Sequence, residues 1–325
     1  MGEENLRKIT INDSRMNITF QNQDPTKISN EALEQALAQN NHLESTKEIL
    51  QELHELIGLE KVKDLIYEIH ALIQVEKMRQ EMGLSVVNQV YHMLFKGNPG
   101  TGKTTVARIV AKLLKNMGIL SKGQLIEVER ADLVGEYIGH TAQKTRDLVK
   151  KAMGGVLFID EAYSLARGGD KDFGKEAIDC LVKVMEDRND DLIIILAGYP
   201  DEMEMFMQAN TGLPSRFPIQ LDFQDYTTDE LILIAHKMAA ERDYIITPET
   251  NAKLKELILN EKITESNFSN ARYVRNILEQ AIRHQAVRLI SRHVKISKQS
   301  LMEILPRDLV IQADDYKKSD SIYYQ

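Results

Sequence analysis

Short apolar segments alternate with longer amphipathic ones between residues 92 and 223 of this chain. The apolar segments are HMLFKG (92–97), LIEVE (125–129), VLFID (156–160), LIIILAG (192–198) and IQLDF (219–223). Every position from Ile193 to Leu196 is apolar, and such runs are typical of strands that are buried on both faces. Strands of this kind form parallel sheets that are covered by helices on each side. The sequence therefore predicts an α/β fold with a doubly wound parallel sheet.

Helical patterns precede and follow the predicted sheet. Apolar spacing predicts one helix from about residue 30 to 56 and a second from 61 to 83, with Gly58 between them. The pattern from Thr228 to about residue 293 is again helical, whereas the last residues lack apolar periodicity. We therefore divide the chain into a partly helical N-terminal extension (1–55), an α/β domain (56–225), a small all-helical domain (226–312) and a flexible tail (313–325).

The composition narrows the class of protein. The chain has 325 residues, of which 43% are hydrophobic, so it is long enough to bury a sizeable core. It contains no apolar run of membrane-spanning length and no secretion signal at its N-terminus, which leads us to expect a cytoplasmic protein without membrane contact. The formal net charge of −8 argues against broad binding to phosphate backbones. Nucleic acid is therefore a less favoured partner than protein, although a net charge does not describe a local basic groove.

A glycine-rich segment follows the first predicted strand. GNPGTGKT (97–104) matches the pattern G-x-x-x-x-G-K-[ST] and opens the next predicted helix. In that context the backbone N–H groups from Gly100 to Thr104 and the helix N-terminus converge on phosphate. Lys103 would contact the β- and γ-phosphates, and Thr104 would ligate Mg²⁺. The segment therefore predicts a binding site for a nucleoside triphosphate.

Two adjacent carboxylates follow the third predicted strand. GGVLFIDEA (154–162) places Asp160 and Glu161 at the C-terminal end of a buried strand, where ligands bind in open parallel sheets. Asp160 can hold the water shell of a metal ion, and Glu161 can polarise a water for in-line attack on the γ-phosphate. Together with the glycine-rich segment, this pair predicts hydrolysis of the nucleotide.

These motifs resemble those of the AAA+ ATPases, and within them the group that contains the red-type rubisco activases and stage V sporulation protein K. The resemblance runs from about Leu56 to Pro306 and includes FKGNPGTGKTT, ADLVGEYIGHTAQKT, FIDEAYSLARGGDKDFGKEAID and ILAGYPDEM. It implies ATP and Mg²⁺ as cofactors, a helical lid after the α/β core, a hexameric homo-oligomer and a role in bacterial spore formation. The residues it assigns to the phosphate loop are Gly97, Asn98, Pro99, Gly100, Thr101, Gly102, Lys103, Thr104 and Thr105.

The resemblance also implies roles for residues outside the phosphate loop. LIGLEKVK (56–63) resembles the segment that lines the adenine pocket, which makes Ile57, Gly58 and Leu59 candidates there. Arg216 in GLPSRFPIQLDF corresponds to the arginine finger that reaches into the site of the neighbouring subunit. Arg272 in SNARYVRN corresponds to sensor 2, which reaches the γ-phosphate from the lid.

Tyr199 departs from the broad family pattern. Many AAA+ ATPases carry a small polar residue, commonly Asn, at this position, where it serves as sensor 1. The Tyr199 hydroxyl can orient water through its longer side chain, or the residue can serve packing only, and both interpretations stay open. The red-type activases share the AGY pattern, so the departure does not indicate an inactive chain.

Tyr137 lies on a glycine-flanked segment, ADLVGEYIGHTAQKT (131–145). From the residues alone it can be a half-buried core residue. The resemblance favours a second interpretation, in which Tyr137, Ile138 and Gly139 form a pore loop whose aromatic grips an extended polypeptide in the central channel of a ring. An aromatic side chain offers a large contact area with little sequence preference.

The preferred hypothesis is a hexameric, ATP-driven remodeller of a protein substrate that the sequence does not identify. The alternatives are a nucleic-acid motor or loader on the same core, and a nucleotide-gated scaffold without turnover. A motor requires a basic binding surface, and we interpret the basic segment RHQAVRLISRH (283–293) as a solvated helix face. A scaffold would lack a general base and a finger, but Glu161 and Arg216 are both present.

Overall fold

The computed structural model describes most of the chain between residues 44 and 310. The described ranges are 44–86, 89–137, 139–167, 173–187, 191–265, 267–291 and 296–310. The predicted N-terminal extension up to residue 43, Ile138 and the predicted flexible tail therefore lie outside the described residues.

Five parallel strands form the central sheet in the order β2-β3-β4-β1-β5. The strands are β1 (Met93–Gly97), β2 (Leu125–Val128), β3 (Val156–Ile159), β4 (Ile193–Gly198) and β5 (Ile219–Phe223). In the register, Phe95 of β1 pairs with Ala197 of β4 and with Leu221 of β5. The predicted doubly wound parallel sheet is confirmed, and the carboxyl ends of β1, β4 and β3 are neighbours along one edge.

Eleven α-helices occur within the part of the chain that the structure describes. They are α1 (Glu44–His54), α2 (Glu60–Glu81), α3 (Lys103–Asn116), α4 (Arg130–Leu133), α5 (His140–Ala152), α6 (Gly174–Asp187), α7 (Pro200–Ala209), α8 (Thr228–Ala240), α9 (Pro248–Thr264), α10 (Asn270–Ser291) and α11 (Lys298–Met302). Our sequence patterns assigned no helix to the α7 segment. None of the helices in these ranges is both long enough and apolar enough to cross a membrane.

Side chains are buried on both faces of the sheet. On one face an apolar cluster joins alternate strand residues such as Leu94, Leu157 and Leu196 to helices α5, α6 and α7. The intervening positions point to the other face, where the Phe95 ring lies 5.0 Å from the ring of Phe223. Burial on both faces explains why the strands appear in the sequence as continuous apolar runs.

Helix α1 packs on the α/β domain, although we had assigned its residues to the N-terminal extension. The Lys112 ammonium of α3 lies 2.8 Å from the Glu52 carboxylate of α1. Asn116 also donates a hydrogen bond of 2.7 Å to the Ser45 hydroxyl, and Leu53 is fully buried. Residues 44–54 therefore extend the packed core beyond the segment we expected.

The helical lid has its own apolar core, and its predicted presence is confirmed. Helices α8, α9 and α10 enclose buried residues that include Leu231, Leu254 and Val274. The lid is not entirely helical, because β6 (Ile245–Ile246) and β7 (Glu303–Ile304) pair in parallel. Strands of two residues leave no periodic pattern in a sequence, so our all-helical prediction missed them.

The basic segment at the end of α10 contributes to the packing of the lid. Arg288 makes a bidentate ion pair with Asp308, with N···O distances of 2.7 and 2.8 Å, and Asp308 is almost fully buried. His284 Nδ1 also lies 2.9 Å from the Asp308 backbone oxygen. Our interpretation of this whole segment as a solvated face is therefore wrong for Arg288. The partial burial of its side chain was not recognisable in the sequence, because its partner lies 20 residues away.

Candidate ATP-hydrolysis site

The phosphate loop connects β1 directly to α3. Strand β1 ends at Gly97, and α3 begins at Lys103. Gly100 and Gly102 have φ angles of +70° and +96°, which lie in the left-handed region that favours glycine. The helix N-terminus and the backbone of this loop thus have the arrangement that binds phosphate.

Lys103 lies folded over its own loop. Its ammonium donates hydrogen bonds to the backbone oxygens of Gly97 and Asn98 at 2.7 and 2.9 Å. Burial lowers the pKa of Lys103, while the nearby Asp160 carboxylate opposes that shift. The loop therefore carries a partly desolvated cation beside a carboxylate, as a triphosphate and its metal ion require.

Asp160 and Glu161 occupy the turn that follows β3. An Asp160 carboxylate oxygen accepts a hydrogen bond of 3.0 Å from the Glu161 backbone N–H. Glu161 has a φ of +46°, which costs a non-glycine residue roughly 1 to 3 kcal/mol and is found mainly at functional sites. This backbone conformation leaves the Glu161 side chain exposed at the carboxyl edge of the sheet.

A cleft of about 790 Å³ lies between the α/β domain and the lid. The predicted site residues that line it are Ile57, Leu59, Gly97, Pro99, Gly100, Gly102, Lys103, Thr104, Thr105, Asp160, Glu161, Tyr199 and Arg272. Three other predicted residues do not line the cleft. Asn98 donates a hydrogen bond to Asp225, Thr101 is buried, and Gly58 lies against the Glu230 side chain. The cleft therefore brings the two sequence motifs and both candidate sensors together.

Apolar residues of the entry segment and of the lid line the cleft together. Ile57 and Leu59 pack against the apolar core of the lid and line the cleft together with Met238, Leu278 and Ile282, and charged lid residues such as Lys237 and Glu279 also line it. Such a surface suits a planar base, with polar groups at the phosphate end that orient the ligand.

Thr104 and Asp160 fit a Mg²⁺ ion. Both residues line the cleft and present oxygen atoms, which are the ligands that Mg²⁺ prefers. The described ranges contain no group of three or more His, Cys, Asp or Glu side chains placed to hold a metal ion by themselves. Mg²⁺ usually takes one or two protein ligands and completes its shell with phosphate and water, so two side chains are a sufficient protein donor set for it.

Tyr199 and Arg272 line the same cleft as the carboxylates. Tyr199 precedes α7, its ring lies 6.0 Å from that of Tyr163, and it packs against the core cluster. Burial raises the pKa of the Tyr199 hydroxyl, and the Glu161 charge raises it further. Tyr199 thus both packs and faces the cleft, so the two interpretations of its role remain. Arg272 is exposed and belongs to α10, a helix of the lid.

The structure adds residues that our sequence analysis missed. Asp225 accepts hydrogen bonds from Asn98 in the phosphate loop and from Asn270 at the start of α10. Tyr226 donates a hydrogen bond of 3.2 Å from its hydroxyl to the Thr101 backbone oxygen. The position of Asp225 two residues after the end of β5 was the one signal available, and it did not identify the partners.

Arg216 lies outside the cleft of its own chain. It ends a short 3-10 turn, Pro214–Arg216, just before β5. Its guanidinium makes an ion pair with Glu186 of α6 and donates a hydrogen bond to the Gly212 backbone oxygen. The cleft of one chain therefore lacks this arginine.

The Tyr137 side chain is 65% exposed, so it is not a half-buried core residue. Its ring meets the His140 ring edge-on at 5.4 Å. Gly139 has a φ of +82° and precedes α5, and the Gly135 N–H donates a hydrogen bond of 2.9 Å to the Thr141 hydroxyl. The segment therefore presents an aromatic side chain outward between two anchored ends.

Comparisons with known proteins identify the family of the chain. The model of the "ATPase family associated with various cellular activities (AAA)" matches residues 93–225, and the "AAA lid domain" model matches residues 227–320. Stage V sporulation protein K of Bacillus subtilis (strain 168) is 54% identical over 93% of this chain and 96% of that protein. The chloroplastic ribulose bisphosphate carboxylase/oxygenase activase of Cyanidioschyzon merolae is 48% identical over 84% of this chain and 92% of that protein.

A solved structure supports the same fold. The Thermotoga maritima RuvB Holliday junction branch migration motor matches with a TM-score of 0.51 and 20% identity, over 79% of this chain and 69% of that chain. At that identity the likeness concerns the fold alone. The matching family models and relatives show that the chain belongs to the AAA family of ATPases, related to the red-type rubisco activases, and that it binds and hydrolyses ATP.

Proposed function

We propose that the chain is a cytoplasmic remodelling ATPase that forms a hexameric ring, grips a protein substrate through Tyr137 and serves bacterial spore formation. The observation that carries this proposal is the outward-facing aromatic of the segment 135–139, in a chain that also holds an ATP cleft. The similarity to stage V sporulation protein K supports the role in spore formation.

ATP hydrolysis would depend on four side chains of the cleft. Lys103 binds the β- and γ-phosphates, and Thr104 and Asp160 would hold Mg²⁺. Bound there, Mg²⁺ would neutralise charge on the phosphate oxygens. Glu161 orients a water molecule for in-line attack on the γ-phosphate and accepts its proton. The exposed position of Glu161 at the edge of the cleft supports this assignment.

Arg216 would complete the site of the neighbouring subunit. Arg216 does not line the cleft of its own chain, and this position supports action on the nucleotide of a neighbouring subunit. A guanidinium that enters a neighbouring site stabilises the charge that develops on the transferred phosphoryl group. The ion pair with Glu186 would hold the side chain in an ordered position before assembly.

Arg272 would report the state of the γ-phosphate to the lid. Arg272 lies two residues after the start of α10, in the first turn of that helix. A contact between its guanidinium and phosphate would therefore draw the lid toward the α/β domain. We assign Tyr199 the sensor 1 position, where it would orient the attacking water or support Glu161 by packing. Arg272 and Tyr199 would therefore act in the cleft of their own chain, and Arg216 would act in the cleft of a neighbouring subunit.

Contacts within the α/β domain support a link between hydrolysis and Tyr137. Strand β2 pairs with β3, and the Asp160 N–H donates a hydrogen bond of 3.0 Å to the Val128 backbone oxygen at the end of β2. Gly135 and Glu136 line a second cavity of about 490 Å³ together with Asp160 and Glu161. A rearrangement of the carboxylates can therefore displace the adjoining segment and its aromatic side chain.

The proposal is tested by comparing Tyr137→Ala with Tyr137→Phe. Each variant is expressed in Bacillus subtilis cells that lack their own stage V sporulation protein K, and heat-resistant spores are counted. We expect the wild-type chain and Tyr137→Phe to restore spores and Tyr137→Ala to fail, because only the alanine variant loses the aromatic surface. Purified Tyr137→Ala should melt at the wild-type temperature and retain its basal ATPase rate. Full complementation by Tyr137→Ala, or a melting temperature several degrees lower, would contradict the proposal.

A further inference from the structure

The Asp225 carboxylate contacts both the phosphate loop and the lid. Asp225 lies after β5, at the start of the linker that leads into α8. The Asn98 side-chain amide lies 3.0 Å from both oxygens of Asp225, and the Asn270 amide lies 2.7 Å from one of them. Asn98 belongs to the phosphate loop and Asn270 opens α10, so the Asp225 carboxylate receives donors from both sides of the cleft.

Asn270 is held in one orientation by its surroundings. It is fully buried and has a φ of +48°, a left-handed conformation that Asn tolerates better than most residues. Its side-chain oxygen accepts a hydrogen bond of 3.0 Å from the Tyr226 N–H, and its amide also donates to the Phe268 backbone oxygen at 2.9 Å. The first residue of α10 is therefore fixed relative to the linker.

The contact extends from Asn270 to the candidate sensor. Arg272 follows two residues later on the same helix, and the Ala271 N–H donates a hydrogen bond of 3.2 Å to the Gly100 backbone oxygen in the phosphate loop. A shift of the loop at Asn98 or Gly100 thus reaches Arg272 through one rigid helical turn.

We propose that Asp225 is a positioning residue that couples the lid to the phosphate loop and so places Arg272 for ATP hydrolysis. This inference rests on the proposed role of Arg272 at the γ-phosphate. A carboxylate suits the position because it only accepts hydrogen bonds, whereas both neighbours present amide donors. An Asn side chain at position 225 would place its N–H₂ group against the N–H₂ group of Asn98 or Asn270, and two donors cannot form a hydrogen bond with each other.

The first test uses Asp225→Asn, with Asp222→Asn as its control. The Asp222 side chain on β5 is 66% exposed, pairs with Lys96 at 3.1 Å and does not line the cleft. We expect Asp225→Asn to lower the turnover number at saturating MgATP roughly tenfold and to speed release of a fluorescent ADP analogue. Both effects are expected because the lid is no longer held in a fixed position relative to the phosphate loop. Asp222→Asn should match the wild type in both measurements. Equal values for all three proteins would overturn the coupling.

A double-mutant cycle asks whether Asp225 acts through Arg272. If it does, Asp225→Asn should add little to the loss of turnover in an Arg272→Ala background, since the group that it positions is already absent. Independent, multiplicative losses would overturn the inference. If Arg272→Ala hydrolyses ATP at the wild-type rate, the proposed role of Arg272 fails and the coupling fails with it. If Arg272→Ala is impaired and Asp225→Asn is not, the coupling alone fails.

An exchange variant separates positioning from general damage to the fold. In Asn98→Asp/Asp225→Asn the amide of the new residue at 225 can donate to the carboxylate at 98, while its oxygen accepts from Asn270. We expect this pair to recover a measurable part of the turnover that Asp225→Asn loses. A double variant no better than the worse single variant would overturn the assigned hydrogen-bond pattern.

Discussion

Gly100→Ala should displace the lid from the phosphate loop. Gly100 has a φ of +70°, and a Cβ atom built there would lie 2.7 Å from the Arg272 backbone nitrogen and still closer to the Ser269 oxygen. Contacts this short with backbone atoms cannot be relieved by rotating a side chain. The added methyl group must therefore move the start of α10 away from the loop.

Gly83→Ala is the matched control for this variant. Gly83 has a φ of +72°, but nothing lies within 4 Å of a Cβ atom built there. Gly83→Ala should therefore lower the free energy of unfolding only by the cost of a left-handed backbone at alanine, about 1 to 2 kcal/mol. Gly100→Ala carries the same backbone cost and also breaks the hydrogen bond from the Ala271 N–H to the Gly100 oxygen, which contributes about 1 kcal/mol. We expect Gly100→Ala to be the less stable of the two by at least that amount.

Urea denaturation and nucleotide binding measure the two consequences separately. Both variants should unfold at lower urea concentrations than the wild type, with Gly100→Ala the lower. Only Gly100→Ala should lose MgATP binding and turnover, because Gly83 lies after α2 and away from the cleft. If the two variants lose equal stability and Gly100→Ala still hydrolyses ATP at the wild-type rate, the described contact between loop and lid is wrong.

Four further predictions follow from individual side chains. Glu161→Gln should bind MgATP but hydrolyse it roughly 100-fold more slowly, because the amide cannot accept the proton from water; steady-state turnover near the wild-type rate would remove Glu161 from the mechanism. Arg216→Ala subunits mixed with wild type should depress ATPase activity by more than dilution, and a strictly proportional mixing curve would exclude action in trans. Tyr199→Phe should lower hydrolysis without changing the melting temperature if the hydroxyl orients water, whereas unchanged hydrolysis would favour packing. Burial lowers the pKa of His92 to about 4. The unfolded chain therefore binds a proton at this site first as the pH falls below 6.5, and the folded state loses up to roughly 3 kcal/mol of stability between pH 6.5 and pH 4. His92→Asn keeps an acceptor for the Ile194 N–H and should lose less stability over that range in melting experiments.

Local patterns were sufficient to predict the sheet and the phosphate loop. The run from Ile193 to Leu196 identified a strand buried on both faces, and the spacing from Gly97 to Thr104 identified the turn into α3. Both depend on neighbours in the chain, so the order of residues contains the information directly. Helix α7 also had a local signal, a proline at its first position followed by apolar residues at Met203, Phe206 and Met207, which our patterns did not use.

Contacts between distant segments could not be predicted in this way. Asn98 and Asp225 are 127 residues apart, and Asn270 is 45 residues beyond Asp225. Each is an ordinary polar residue until the fold brings the three together. Arg288 also looked solvated because Asp308 lies beyond the end of its helix. Such pairings depend on the tertiary arrangement of the lid, which no spacing rule encodes.

Photo-crosslinking at position 137 tests the central claim most directly. Tyr137 is replaced by the photoreactive aromatic benzoylphenylalanine in a Glu161→Gln background, and the protein is irradiated with an extract of sporulating cells in ATP or in ADP. Met205 on α7, which is 62% exposed, carries the same replacement in the control. The account predicts protease-sensitive adducts that form at position 137 in ATP, and that are absent at position 205 and reduced in ADP. Nuclease-sensitive adducts, or equal labelling at both positions and in both nucleotides, would contradict it.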